Sequence, residues 1–263
     1  PATYNPCMAY DSDRSVAVLF GGYVEDENWN TSLVAPYTWE WDSNTRTWNR
    51  FDTTYMRGRG GSAMVYDTQR KLTIMHAGHE QGRKNGETWA WDGEEWTLLT
   101  ADGPERHAHA MVYDSNRQTT VLFGGWADVP GEFPAESTWE FDGSEWTHVP
   151  TPVEPPGRLW PAFAFDSSRG VAVLFSGGER SAAGFGFPAE VSFEDMWEWD
   201  GAQWTEIGSI TPPPRFGSSM VYDTLRGTMV LFGGTPDFGM GYSDTWEYAA
   251  PSSGMPRGLW SLY

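Results

Sequence analysis

The sequence predicts an all-β fold, a five-bladed β-propeller with four antiparallel strands in each blade, and three observations carry that reading. One segment recurs five times along the 263 residues, as MAYDSDRSVAVLFGG, MVYDTQRKLTIMHAG, MVYDSNRQTTVLFGG, FAFDSSRGVAVLFSGG and MVYDTLRGTMVLFGG. Each copy is followed by a Trp-rich stretch, so the unit spans about 50 residues and holds four short apolar runs, as a propeller blade does. No long heptad pattern, no run of 18 apolar residues and no charged-then-apolar leader interrupts the series. One domain is therefore expected over 1–263, with blades at 1–56, 57–103, 104–155, 156–212 and 213–263.

The first strand of each unit, such as Ala63 to Asp67, ends in Asp-x-x-Arg: Asp11/Arg14, Asp67/Arg70, Asp114/Arg117, Asp166/Arg169 and Asp223/Arg226. An Asp opening a tight turn accepts backbone N–H groups two residues on, and the Arg reaches back to it, which makes all ten residues structural. The second strand, for instance Thr120 to Phe123, is apolar and β-branched, as a strand buried on both faces requires. It ends in a glycine pair, at Gly21-Gly22, Gly124-Gly125, Gly177-Gly178 and Gly233-Gly234, where positive φ is expected. The third strand carries Thr-Trp-Glu-Trp-Asp or a variant, and the fourth a lone Trp. Thirteen of the sixteen tryptophans fall on these repeated positions and are assigned to the core.

Together the glycine pair, the aromatic before it, the spaced tryptophans and lead-ins such as Pro104-Glu105-Arg106 resemble the kelch family of β-propellers over the whole chain. The resemblance implies four-stranded blades around a central channel with the first strand innermost. Kelch rings more often have six or seven blades. Five complete units are expected to close by side-chain packing alone, the alternative being that they belong to a larger assembly.

Composition narrows the partners. Thirty-six acidic residues against seventeen basic give a net charge of −19, which repels phosphate backbones and anionic lipids and sets aside nucleic acid and membrane insertion. The single cysteine, Cys7, forms no intramolecular disulfide. Acidity with few lysines suits an extracellular or periplasmic setting.

Up-and-down connectivity places the loop after each glycine pair on the same side as the segment leading into the next blade, and binding is expected there. The tryptophans outside the repeated positions, Trp29, Trp126 and Trp160, fall on that side, joined by Tyr23, Phe133, Phe185, Phe187, Phe238 and Tyr242. Such rings stack on sugars or anchor peptide side chains, or else form a small satellite core beneath the loops. Arg59, Arg106, Arg158 and Arg215 each stand five residues before the Met or Phe of a first strand, with Thr3 in the first unit. The resemblance implies that they ring the channel mouth and meet ligand carboxylates; pairing with a loop acid such as Glu25, Glu132 or Asp237 is the alternative. His76-x-x-His79 and His107-x-His109 form a third group. A His-x-His on a strand sends both imidazoles to one face, so His79, His107 and His109 are candidate ligands for a divalent transition ion such as zinc. No phosphate-cradling glycine loop or nucleophile elbow is present. The first functional reading is a binding module for a carbohydrate or protein segment. The second is a metal-dependent lyase, isomerase or hydrolase.

Overall fold

A computed structural model describes residues 3–25, 32–52, 56–80, 85–127, 135–180, 188–208, 212–237, 241–250 and 259–263. The first blade is built from β1 (Cys7–Asp11) and β2 (Val16–Phe20), a small hairpin of β3 (Tyr23–Glu25) and β4 (Ser32–Val34), then β5 (Tyr37–Asp42) and β6 (Thr47–Asp52). The second has β7 (Ala63–Asp67), β8 (Leu72–His76), β9 (Thr88–Trp91) and β10 (Trp96–Thr100), and the third β11 (Ala110–Asp114), β12 (Thr119–Phe123), β13 (Thr138–Phe141) and β14 (Trp146–Val149). The fourth has β15 (Ala162–Asp166), β16 (Val171–Phe175), the hairpin β17 (Gly178–Arg180) and β18 (Pro188–Ser192), then β19 (Met196–Trp199) and β20 (Trp204–Glu206). The fifth has β21 (Ser219–Asp223), β22 (Thr228–Phe232), β23 (Thr245–Ala249) and β24 (Leu259–Leu262). Every blade is a four-stranded sheet in chain order, so the all-β, five-bladed propeller expected from the repeat is what the chain forms. By its internal contacts the chain divides into two units, Pro1–Thr120 with Trp139–Thr147 and Val121–Thr138 with His148–Tyr263.

The Asp-x-x-Arg turn explains the tight link between the first two strands. Asp67 Oδ1 accepts the N–H groups of Gln69 and Arg70 at 2.9 Å each, and Arg70 Nη1 donates to Asp67 Oδ2 at 2.8 Å. This fixes β7 against β8 in a register running from Ala63↔His76 to Asp67↔Leu72. Four of the five turn arginines also reach a glutamate on the third strand: Arg14–Glu40, Arg117–Glu140, Arg169–Glu198 and Arg226–Glu247. The second blade has Ala90 at that position, and Arg70 donates instead to the Asp142 carbonyl.

Core lies between successive blades. In the first unit Val18 and Phe20 cluster with Met64, Met75, Trp91 and Trp96, and in the second Ala164, Val173 and Phe175 cluster with Met220, Met229 and Tyr248. A repeated hydrogen bond crosses these seams. The fourth-strand Trp of one blade donates its indole N–H to the third-strand Thr of the blade before: Trp96 to Thr38, Trp146 to Thr88 and Trp204 to Thr138, each at 2.8 Å. A buried indole N–H demands such an acceptor, which is why Thr recurs in Thr-Trp-Glu-Trp.

Candidate functional site

The segment leading into each blade turns through a residue with left-handed backbone: Asn5, Gly61, Ala108, Trp160 and Gly217, with φ of 56°, 66°, 59°, 47° and 67°. The residue before that turn pairs with the residue after the glycine pair of the same blade, as Tyr4↔Tyr23, Gly60↔His79, Leu159↔Gly178 and Phe216↔Thr235. The second residue of each pair then caps the next lead-in. Gly22 N–H donates to Arg59 O, Gly78 to Arg106 O, Gly125 to Arg158 O and Gly177 to Arg215 O, at 2.8–3.0 Å. In the fourth blade this pair is Ser176-Gly177, not Gly177-Gly178. The first position tolerates a side chain there, as it does at Ala77, although φ is 52° and 53°. At Gly21 it tolerates none, because a Cβ would stand 2.2 Å from Arg59 O.

In the first unit this framework brings four side chains together. The Tyr4 and Tyr23 rings stack at 5.2 Å and 26°. The Tyr23 ring lies over the α-carbon of Gly60, where a Cβ would fall 2.2 Å from it. The Tyr23 hydroxyl is 3.3 Å from His79 Nδ1, and the His79 and His107 rings stand 5.7 Å apart. Burial of the Tyr23 phenol, with Tyr4 beside it, raises its pKa above the ordinary value. Tyr4 is exposed, and the other three side chains are half-buried. The result is a partly exposed strip of two phenols and two imidazoles that combines ring surface with polar edges.

The histidines do not converge as a metal site. Ala108 is left-handed and lies outside any strand, so the alternation that would send His107 and His109 to one side is broken. His107 joins His79, whereas His109 is buried with its ring 5.7 Å from that of His76. His76 is itself committed, with Nδ1 2.9 Å from Thr88 Oγ1 and Nε2 2.9 Å from the Pro104 carbonyl. A carbonyl only accepts, so Nε2 carries the proton and Nδ1 accepts from the Thr88 hydroxyl. Burial pushes the His76 pKa down to about 3, and burial with the nearby His76, Arg106 and His107 holds that of His109 well below its usual range. Among the described residues no three His, Cys, Asp or Glu side chains come together around a point that can hold a metal ion.

The lead-in arginines are buried, and three of them meet carboxylates of their own blade. Arg59 Nη2 donates to Glu87 Oε2 at 2.9 Å, Arg158 forms a two-pronged pair with Asp195 at 2.6 and 2.7 Å, and Arg215 does the same with Asp244 at 2.6 and 3.0 Å. Each of these acids stands immediately before the third strand. Tyr37 occupies that place in the first blade, whose lead-in carries Thr3, and Ser137 occupies it in the third, whose lead-in carries Arg106. Hydrogen bonds from Arg215, outweighing burial, hold the Asp244 carboxyl below the usual range. At Glu87 burial pushes upward, and the bonds from Trp89 and Arg59 prevail. The pairing was legible as a coincidence within the repeats, an acid ahead of the third strand wherever the lead-in has Arg, the third blade apart.

In the second unit Trp160 is half-buried with its ring 6.1 Å from Phe216 at 33°, and the Arg215 guanidinium lies 4.2 Å over the Tyr242 ring. Trp126 follows Gly125 and is half-buried. Trp29, Phe133, Phe185, Phe187 and Phe238, with Glu132 and the side chain of Glu25, lie outside the described residues. Tyr4 and Phe216 went unremarked in the sequence; the signal that finds them is their shared position, one residue after the lead-in Arg or its Thr3 counterpart.

No protein-family model matches the sequence, and comparison with curated proteins finds no match. Among solved structures the chain is similar to one described as "Structure of YjhT", with a TM-score of 0.75 at 12% identity over 98% of this chain and 84% of that one. At that identity the likeness shows the fold, and the fold is a β-propeller.

Proposed function

We propose that this chain is a ligand-binding propeller of kelch type that takes a carbohydrate or a peptide segment on the aromatic and imidazole side chains displayed where its blades begin. The observation that carries the reading is the Tyr4, Tyr23, His79 and His107 strip: none of the four belongs to the repeated core, yet backbone bridges hold the segments that bear Tyr4, Tyr23 and His79. Rings with a polar edge supply contact area at low entropy cost and hydrogen bonds at the rim, which suits a sugar ring or an extended peptide. Trp126, Trp160 and Tyr242 extend this chemistry in the second unit, and Trp29 and Phe187 belong to the same set by sequence. The buried arginines Arg59, Arg158 and Arg215 hold the lead-ins, and Arg106 stands at the same position in the third blade.

Glycan and peptide arrays probed with the purified chain test the reading. Binding to one class, lost in a Tyr23→Ala, His107→Ala variant that melts like the parent, supports it; binding that survives in that variant removes the strip from the site. A metal-dependent enzyme is the second reading, resting on the His79–His107 pair alone. Elemental analysis of chelator-free protein decides it, since a bound transition ion must disappear with His79→Ala.

A further inference from the structure

A blade has two different sides, and the interior of each unit shows what each side meets. Met64 of the second blade packs with Val18 and Phe20 of the first, and Met220 of the fifth packs with Ala164 and Phe175 of the fourth. The Met/Tyr side of a blade therefore meets the blade before it, and the Val/Phe side meets the blade after it. At the Met position Met64, Met111, Phe163 and Met220 are 7–8% exposed, but Met8 is 59% exposed, with Tyr10 on the same side of β1 at 55%. At the Phe position Phe20, Phe123 and Phe175 are at most 2% exposed, but Phe232 is 55% exposed, with Val221 at 61%.

The seam hydrogen bond repeats the contrast. Thr38, Thr88 and Thr138 are fully buried beneath the next blade's Trp, whereas Thr245 is half-buried. Trp48, the first blade's own fourth-strand Trp, is 36% exposed where Trp204 is 4%. Among the described residues nothing hydrogen-bonds the Thr245 hydroxyl or the Trp48 indole. We propose that the Met8/Tyr10/Trp48 side of the first blade and the Val221/Phe232/Thr245 side of the fifth are docking surfaces, each for one further blade of this same repeat. The occupant is specified by complementarity: a four-stranded sheet with Met and Tyr on its leading side and an outermost Trp for Thr245. A second copy of the chain offers the same chemistry but brings another net charge of −19, which opposes its approach. The similar solved structure extends beyond the match, which covers 84% of it.

The test supplies the blade. Residues 101–155 duplicated after Tyr263 place a copy of Trp146 in line for Thr245, and the fusion is expected to melt roughly 5–10 °C above the 263-residue chain. Val221→Lys is expected to cancel most of that gain in the fusion and to shift the Tm of the unfused chain by less than about 2 °C. Should the fusion misfold, the unfused variant still decides, because a large loss of Tm from Val221→Lys alone means the surface is already covered and overturns the proposal. A fusion that folds with no gain in Tm overturns it too. So does light scattering that finds the unfused chain oligomeric and its Val221→Lys variant monomeric, which assigns the surface to a second copy.

Discussion

The Thr88 hydroxyl stands 2.9 Å from His76 Nδ1 while its oxygen accepts the Trp146 indole N–H at 2.8 Å. His76 takes the place that Phe holds in the other four blades, and it is tolerated because Thr88 and Pro104 satisfy both ring nitrogens. The imidazole is thereby fixed in its neutral form.

A pH dependence follows. With a folded pKa of about 3 against an ordinary 6.5, the unfolded chain binds the extra proton between these values. Stability is fully present above about pH 6.5 and falls as pH drops toward 3, at up to about 1.4 kcal/mol per pH unit. Lowered carboxylates such as Asp244 act in the same direction, so the contribution of His76 is isolated by His76→Phe. That variant is expected to show a shallower loss of urea-unfolding free energy between pH 6.5 and pH 4.

The Arg158–Asp195 pair joins a guanidinium with no exposed side-chain surface to a carboxylate ahead of β19. Asp195→Ala leaves that charge buried, and a loss of about 3–5 kcal/mol is expected in denaturant melts. Arg158→Lys is expected to recover little, since an ammonium cannot make the two-pronged contact or the further bonds to Pro156 O and Ser176 O.

Thr138→Val keeps the volume of a fully buried side chain and removes the acceptor of the Trp204 indole. An orphaned buried N–H costs about 1–3 kcal/mol, visible as a lower urea midpoint with an unchanged slope. A neutral result means that the seam rests on packing alone.

Burial pushes the Cys7 thiol up to about 12, so an aromatic disulfide reagent at pH 8 is expected to leave it untouched in the folded protein and to label it fully in denaturant. Stoichiometric labelling of the native chain contradicts the packing of β1 against β2.

The fold was legible because five copies repeat the same turn, glycine and Trp positions, and each has one local job: Asp67 closes a turn and Thr38 receives an indole. The site was less legible because its residues do not repeat. Tyr4 and His107 share a position, one residue after the lead-in Thr3 or Arg106, that carries a different residue in every blade, and the reading of His107 and His109 as neighbours on one face assumed a strand that the left-handed Ala108 interrupts. Acids of the long loops were the alternative partners for the arginines, but the carboxylates that Arg59, Arg158 and Arg215 meet stand beside the third strand, where the guanidinium is already buried and a nearby acid costs least to order.

Trp160 tests the division between frame and site most directly. Its φ of 47° places a large aromatic residue where other blades use Gly61 and Gly217, a backbone choice that costs roughly 1–2 kcal/mol. The measurement is the Tm of Trp160→Gly together with its calorimetric affinity for the ligand found on the arrays. The account predicts a Tm within about 2 °C of the parent, because relieved strain offsets the lost contact with Phe216, and binding weakened by roughly 30-fold. Unchanged binding, or a collapse of Tm, contradicts it and returns Trp160 to the frame.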